Sequence, residues 1–226
     1  MHYAGLERLV AGAGHEHFGA PRFQGYVRHC GGDLAAALVF YQWNVEVSGA
    51  LWQTIGHLEV VLRNRVADRL ALRRQRLGRP GSWLDDSPAS ELDMRARADI
   101  RKAQQRLQYQ GRPINDGRVI AELTFGFWRF LFARRYTSLL WPDIVGAFPN
   151  VPNRQRETLE APVVRLHEFR NRLAHHERIW NQPLSALHAD ALTLLNYIDT
   201  SLARWVTEQS RVPELLASCP VSRPHP

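Results

Sequence analysis

The chain of 226 residues has two cysteines, almost no lysine and no long uninterrupted apolar run. Cys30 and Cys219 lie far apart and form no Cys-x-x-Cys pair, which argues against a disulfide framework or a structural zinc site. The most apolar stretch, 34–62, is interrupted by Glu46 and Glu59, so it falls short of the roughly 18 apolar residues that a membrane span needs. The N-terminus also lacks the basic-then-apolar order of a signal peptide. These absences predict a cytoplasmic protein with reduced thiols.

The chain carries an excess of positive charge. The formal net charge is +7 and the isoelectric point is about 10.1. Lys102 is the only lysine, so the excess is carried by arginine, whose planar fork fits phosphate. A polyanion such as RNA or DNA is therefore a natural partner, although arginine use that follows genomic base composition would give the same count.

Helical periodicity predicts an all-α protein with one main domain. From Asp33 to about Leu77 apolar residues recur every three or four positions, as in one long amphipathic helix, or two nearly collinear ones, that Asp33 caps. Its predicted buried stripe contains Leu34, Leu38, Tyr41, Val45, Leu51, Ile55, Leu58, Leu62, Val66 and Leu70. We divide the chain into an N-terminal helical extension at 1–32, a helical domain at 33–210 and an irregular C-terminal tail at 211–226.

Further helices are predicted along the rest of this domain. Ser87-Pro88 is typical of a helix start, and that helix should reach about Gln110. The aromatic segment 119–132 should form a helix in the core, because so many aromatic residues are not exposed together. The pattern predicts one more helix from Asn153 to His175 and a last one over 184–209.

The densest polar cluster lies at 165–178, on a helix whose buried stripe should contain Leu166, Phe169 and Leu173. On an ideal helix Arg170 and His175 lie ~140° apart, on neighbouring faces. Four-residue spacing puts Asn171 on the face of His175, and Arg172 on the face of His176.

Arginine, amide and imidazole groups together suit metal-independent cleavage of RNA. That reaction needs a proton acceptor for the ribose 2′-hydroxyl, a proton donor for the departing 5′-oxygen and positive charge at phosphorus. Histidine titrates in the right range for either proton role, and arginine binds phosphate oxygens. Arg170 and His175 are the candidate catalytic pair, with Asn171, Arg172 and His176 in support. Since one histidine rarely serves as both acid and base, two copies facing each other across a dimer would complete the site.

The same cluster has plainer explanations. Arginine and histidine at a helix C-terminus also satisfy the helix dipole. The adjacent pair His175-His176 lacks the spacing of metal ligands, so we expect no metal and no cofactor. An earlier segment, 62–68, repeats the pattern with Asp68 in the place of the histidine, either by chance or because Arg63 and Asn64 contact RNA or line the same cleft.

These motifs together resemble the Abi-like (abortive infection) family of the HEPN superfamily over residues 33–205, most of the chain. The resemblance rests on the order of Leu62-Arg63-Asn64, Glu122-Leu123-Thr124-Phe125-Gly126-Phe127-Trp128, Trp141, Phe169-Arg170-Asn171-Arg172-Leu173-Ala174-His175-His176 and Ile179-Trp180-Asn181.

The resemblance implies a HEPN-like helical bundle and a homodimer in which two Arg-x4-6-His motifs share a cleft. It also implies a metal-independent endoribonuclease that acts as a toxin in bacterial defence against phage, together with an RNA or protein antitoxin. Arg170 and His175 match the invariant pair and Asn171 the polar residue that follows the arginine, while His176 also satisfies the spacing. Because some members of the superfamily bind RNA without cleaving it, a module that holds a small cognate RNA is the alternative, and a protein-interaction subunit of a defence complex is a third.

Overall fold

The computed structural model describes residues 20–85 and 91–221, and every regular element in these ranges is helical. The all-α prediction is confirmed there. The α-helices are α1 (Ala20–His29), α2 (Leu34–Arg76), α3 (Met94–Tyr109), α4 (Asp116–Glu122), α5 (Phe125–Phe130), α6 (Trp141–Ile144), α7 (Arg156–Ala174), α8 (Leu184–Ile198), α9 (Thr200–Gln209) and α10 (Val212–Ala217). Short 3₁₀ turns occupy Arg134–Tyr136 and Val145–Ala147.

Helix α2 is the 43-residue centre of the fold. The Asp33 carboxylate caps it by accepting hydrogen bonds from the N–H groups of Ala35 and Ala36. At 1.5 Å per residue the helix is roughly 65 Å long, so helices α1, α7, α8 and α10 all pack along it. The predicted long helix is thus present, and α1 precedes it within the predicted N-terminal extension. Residues 1–19 of the predicted extension lie outside the described part of the chain.

The buried stripe of α2 is predicted correctly in its second half only. From Leu51 to Leu70 the predicted positions are buried, but Leu34 and Val45 are 39% and 46% exposed. In this first half the buried positions are instead Ala37, Phe40, Trp43, Asn44 and Val47. The prediction was out of phase there because apolar residues occur on both sides of the helix, and α1 covers the aromatic side.

The aromatic segment lies in the core as predicted, although it forms two short helices. Helix α4 ends at Glu122, and α5 begins after Leu123 and Thr124, both in extended backbone conformation. Trp128 is fully buried. Buried with it are Phe125, Phe127, Leu131 and Phe132.

Two further helix boundaries are wrong, besides the start of α7, which is Arg156 and not Asn153. Residues 91–93 are not helical, and α3 begins after Asp93, whose side chain caps it at the Ala96 N–H; the predicted start at Ser87-Pro88 lies outside the described residues. The single helix predicted over 184–209 is interrupted at Asp199, which is extended and caps α9 through the Leu202 N–H. In both places an aspartate side chain satisfies the first free amides of a new helix.

The C-terminal tail is not irregular throughout. Residues 212–217 form α10, which buries Val212 and Leu215 against the core. The indole Nε1 of Trp43 on α2 donates a hydrogen bond to the Leu215 carbonyl at 2.6 Å. Pro213 stands in the first turn of this helix, where its missing N–H costs no hydrogen bond. Residues 222–226 lie outside the described part of the chain. No helix of the described residues combines the length and the apolarity needed to cross a bilayer.

Candidate active site at the end of helix α7

Helix α7 holds the predicted cluster at its C-terminal end. The predicted stripe of Leu166, Phe169 and Leu173 is buried, so the opposite face projects outward. The helix ends at Ala174, and His175 is its C-cap, with its N–H bonded to the carbonyls of Asn171 and Leu173. His176 follows with φ of 51°, in the left-handed region that few residues other than glycine adopt. The motif therefore stands where a firmly packed helix opens into a loop.

Arg170 turns from α7 toward α2. Its Nε lies 3.4 Å from a carboxylate oxygen of Glu59, and its guanidinium carbon lies 5.0 Å from the centre of the Trp52 ring. The two contacts orient the guanidinium at a half-buried position. A phosphate that binds Arg170 would share it with Glu59 or displace that carboxylate.

His175 is exposed, and its backbone carbonyl accepts a hydrogen bond from Nη2 of Arg22 on α1 at 3.2 Å. No hydrogen bond or ion pair among the described residues joins the side chains of Arg170 and His175. This agrees with their angular separation on the helix. One chain therefore presents the two groups at the same helix end without bringing them into direct contact.

Two of the predicted supporting residues, Asn171 and Arg172, have different neighbours. Asn171 is exposed, and its Nδ2 lies 3.5 Å from Nε2 of His167. Arg172 pairs instead with Glu177, at 2.9 Å between Nη1 and a carboxylate oxygen. The predicted shared face of Arg172 and His176 is wrong, because the helix has ended before His176 and the backbone there is left-handed.

His167 is a site residue that the sequence analysis did not select. It lies three residues before Arg170 and one turn before Asn171, its ring packs against Phe125 of α5, and its Nδ1 is buried without a hydrogen-bond partner among the described residues. A Cβ at Gly126 of α5 would come within 3.2 Å of its Nε2, so only glycine fits there without displacing the ring. Burial lowers the pKa of His167, and the charges of Arg129 and Arg170 lower it further. The i, i+3 spacing to Arg170 is the signal that was available.

Arg63 and Asn64 lie on α2, one turn beyond the Glu59 that holds Arg170. Arg63 donates from Nη1 to the Ala121 carbonyl at 3.4 Å, and its Nε is buried without a partner among the described residues. Asn64 is exposed. Neither residue forms a hydrogen bond to α7 among the described residues, so the structure does not join them to the cluster.

A buried asparagine ties the loop after the motif to α2. The Oδ1 of Asn44, which is 4% exposed, accepts the Ile179 N–H at 3.0 Å. This bond spans 135 positions of sequence and fixes the loop that carries His176 to Arg178.

We expect Asn44→Ala to lower the free energy of unfolding by about 1–3 kcal/mol, because it leaves the buried Ile179 N–H without an acceptor. Urea denaturation followed by far-ultraviolet circular dichroism measures this. The control is Asn64→Ala on the same helix, at an exposed site, with an expected change within about 0.5 kcal/mol. Equal stability of the two variants would show that the Asn44 bond does not hold the loop.

Within the described ranges no group of three or more histidine, cysteine or acidic side chains is placed to hold a metal ion.

Comparison of the chain with known proteins finds no matching family model, no matching curated protein and no matching solved structure.

Proposed function

We propose that the protein is an endoribonuclease in which Arg170 binds the scissile phosphate and His175 transfers a proton, without a metal ion. The observation that carries the proposal is the placement of an exposed imidazole and an oriented guanidinium at one end of a helix whose other side is buried. The net charge of +7 would draw RNA to the protein.

The chemistry follows from these groups. The ribose 2′-hydroxyl loses its proton to a base, its oxygen attacks phosphorus, and the 5′-oxygen leaves with a proton from an acid. The guanidinium of Arg170 stabilises the charge that develops on the phosphoryl oxygens. His175 supplies one proton transfer, and the second falls to another group at the same phosphate.

We propose that a second copy of the chain supplies that group. On α2 the positions 45, 49, 52, 56 and 60 follow one face, on which Val45, Trp52 and Val60 are 46%, 42% and 44% exposed. Space is open above Gly49 and Gly56, so another backbone can approach closely. Since Trp52 also contacts Arg170, a copy docked on this face lies beside the site, and twofold symmetry brings its own Arg170 to the same interface.

Val60→Arg is expected to convert a dimer into a monomer, because it places a charge in an apolar interface. Light scattering at micromolar concentration measures the mass. The control is Leu72→Arg, ~120° around the same helix and 51% exposed, which should leave the dimer intact. A wild-type monomer, or a Val60→Arg dimer as stable as that of the control, would contradict the shared site.

The biological role follows from the resemblance to the Abi-like family. A cytoplasmic RNase toxin, held inactive by an RNA or protein antitoxin and released on phage infection, agrees with the motif and the charge. The test of the activity is incubation of purified protein with structured and unstructured RNA in EDTA. Intact RNA under these conditions would refute the nuclease.

A non-catalytic RNA-binding protein is the second candidate. It is favoured by the pairing of Arg170 with Glu59, which gives the guanidinium a carboxylate partner without a substrate. It is also favoured by the lack of a side-chain hydrogen bond between Arg170 and His175 among the described residues. This candidate predicts salt-dependent RNA binding and no cleavage.

A further inference from the structure

An open cleft of about 480 Å³ lies between α1 and the loop that follows α7. Its polar lining contains Arg22 of α1, Arg172 of α7, and Glu177 and Arg178 of the loop, which gives these side chains a net charge of +2. The volume falls within the roughly 300–1,000 Å³ range of small-molecule sites. Arg172 lies ~160° around α7 from Arg170, so the cleft opens on a different side of α7 from that guanidinium and borders the site proposed above at Arg172 and His175.

The protein holds two of these arginines in place. Nη2 of Arg22 donates to the His175 carbonyl at 3.2 Å. The guanidinium carbon of Arg178 lies 5.4 Å from the centre of the Trp180 ring. Its Nη1 occupies the space above Gly25, where any Cβ would collide with it. The absence of a side chain at Gly25 therefore makes room for the Arg178 guanidinium.

The cleft has more positive charge than its own acidic residue can neutralise. Glu177 pairs with Arg172, at 2.9 Å. Among the described residues neither Arg22 nor Arg178 has a carboxylate within 4.0 Å. Both arginines lie close enough to Tyr26 that their charges oppose the rise in its pKa, which burial and Tyr41 cause. Two oriented cations, neither paired with a carboxylate of the described residues, thus face one opening.

We propose that this cleft binds the phosphate group of a nucleotide or of an RNA strand, with Arg22 and Arg178 as its two charged forks. A phosphate group offers several oxygens and one to two negative charges, and arginine binds such oxygens in pairs. The Arg22 contact with residue 175 places the bound phosphate next to the end of α7. Binding here requires no cleavage and does not depend on the proposed function.

The test measures fluorescence anisotropy of a labelled single-stranded RNA pentamer with a 5′-phosphate, at fixed ionic strength. AMP, inorganic phosphate and the 5′-hydroxyl pentamer serve as competitors. Arg22→Gln and Arg178→Gln should each weaken binding about tenfold or more. Arg204→Gln, which removes the same charge from an exposed site on α9, should change it less than twofold. Arg22→Lys, which keeps the charge but loses the fork, should be intermediate.

The competitors identify the source of the phosphate. Competition by AMP assigns a mononucleotide, a preference for the 5′-phosphate pentamer assigns a strand end, and equal binding of both pentamers assigns an internal phosphodiester. Equal losses in Arg204→Gln and Arg178→Gln, or no binding of any probe by the wild type, would overturn the proposal. Cleavage in EDTA tests the nuclease proposal separately, so its failure leaves this binding result interpretable. Thermal melting of each variant confirms that it is folded.

Discussion

His175→Ala is expected to reduce RNA cleavage by about 10²–10⁴-fold while leaving RNA affinity nearly unchanged. The imidazole is exposed at the C-cap of α7 and has no side-chain hydrogen bond within the described part of the chain, so its removal leaves no buried partner unsatisfied. The measurement is the initial rate of cleavage of a fluorescent RNA in EDTA. Melting temperature and RNA affinity are measured alongside it.

The matched control is His176→Asn. His176 has φ of 51°, a conformation that asparagine tolerates well, so this variant removes the imidazole without straining the loop. It should keep most of the activity if His175 is the proton-transfer group. Full activity of His175→Ala together with loss in His176→Asn would assign the role to the second histidine. Full activity of both would remove the motif from the mechanism.

Arg170→Gln should lower cleavage by roughly 10²–10³-fold, because it removes the guanidinium that the proposed site places on the phosphate. Arg170→Lys should recover part of this loss, since lysine keeps the charge but lacks the fork. The control is Arg165→Gln on the same helix, whose side chain pairs with Asp190 at 2.8 Å and should not affect the rate. The rate with saturating RNA is the readout.

Glu59→Gln separates a catalytic from a structural role of Arg170. If Arg170 served only to tie α7 to α2 through Glu59, breaking the pair from either side would have the same effect. The proposed mechanism predicts instead that Glu59→Gln retains activity, because it frees the guanidinium for phosphate. Equal loss of rate in Glu59→Gln and Arg170→Gln would contradict phosphate binding by Arg170.

Much of the fold could be predicted from local patterns. Asp33 after two glycines marks the start of α2, and the regular spacing from Leu51 to Leu70 gives its buried face. The first half of α2 could not be assigned in this way, because its apolar residues occupy two faces and only the packing of α1 decides between them. The apolar spacing continues across Asp199, so it does not predict the break there. In sequence, an aspartate that caps a helix looks the same as an ordinary surface aspartate.

The candidate site, like the fold, is predictable from local sequence only in part. The motif itself, its buried stripe and its position at a helix end follow from residues 165–178. The partners that orient it come from distant sequence: Glu59 is 111 positions from Arg170, and Arg22 is 153 positions from His175. Tertiary packing brings these residues together, and no local spacing predicts it. His167 is partly predictable. Its helical spacing to Arg170 can be read from the sequence, but its burial against Gly126 depends on tertiary packing.

The most direct test of the central claim is the chemistry of the RNA ends produced by the purified protein in EDTA. Attack by the 2′-oxygen must leave a 2′,3′-cyclic phosphate on one fragment and a 5′-hydroxyl on the other. We expect these ends from the wild type, at least about 100-fold fewer from His175→Ala prepared in parallel, and no cut at a nucleotide that lacks its 2′-hydroxyl. Fragments with 5′-phosphate ends, or cleavage that persists equally in His175→Ala, would contradict the account.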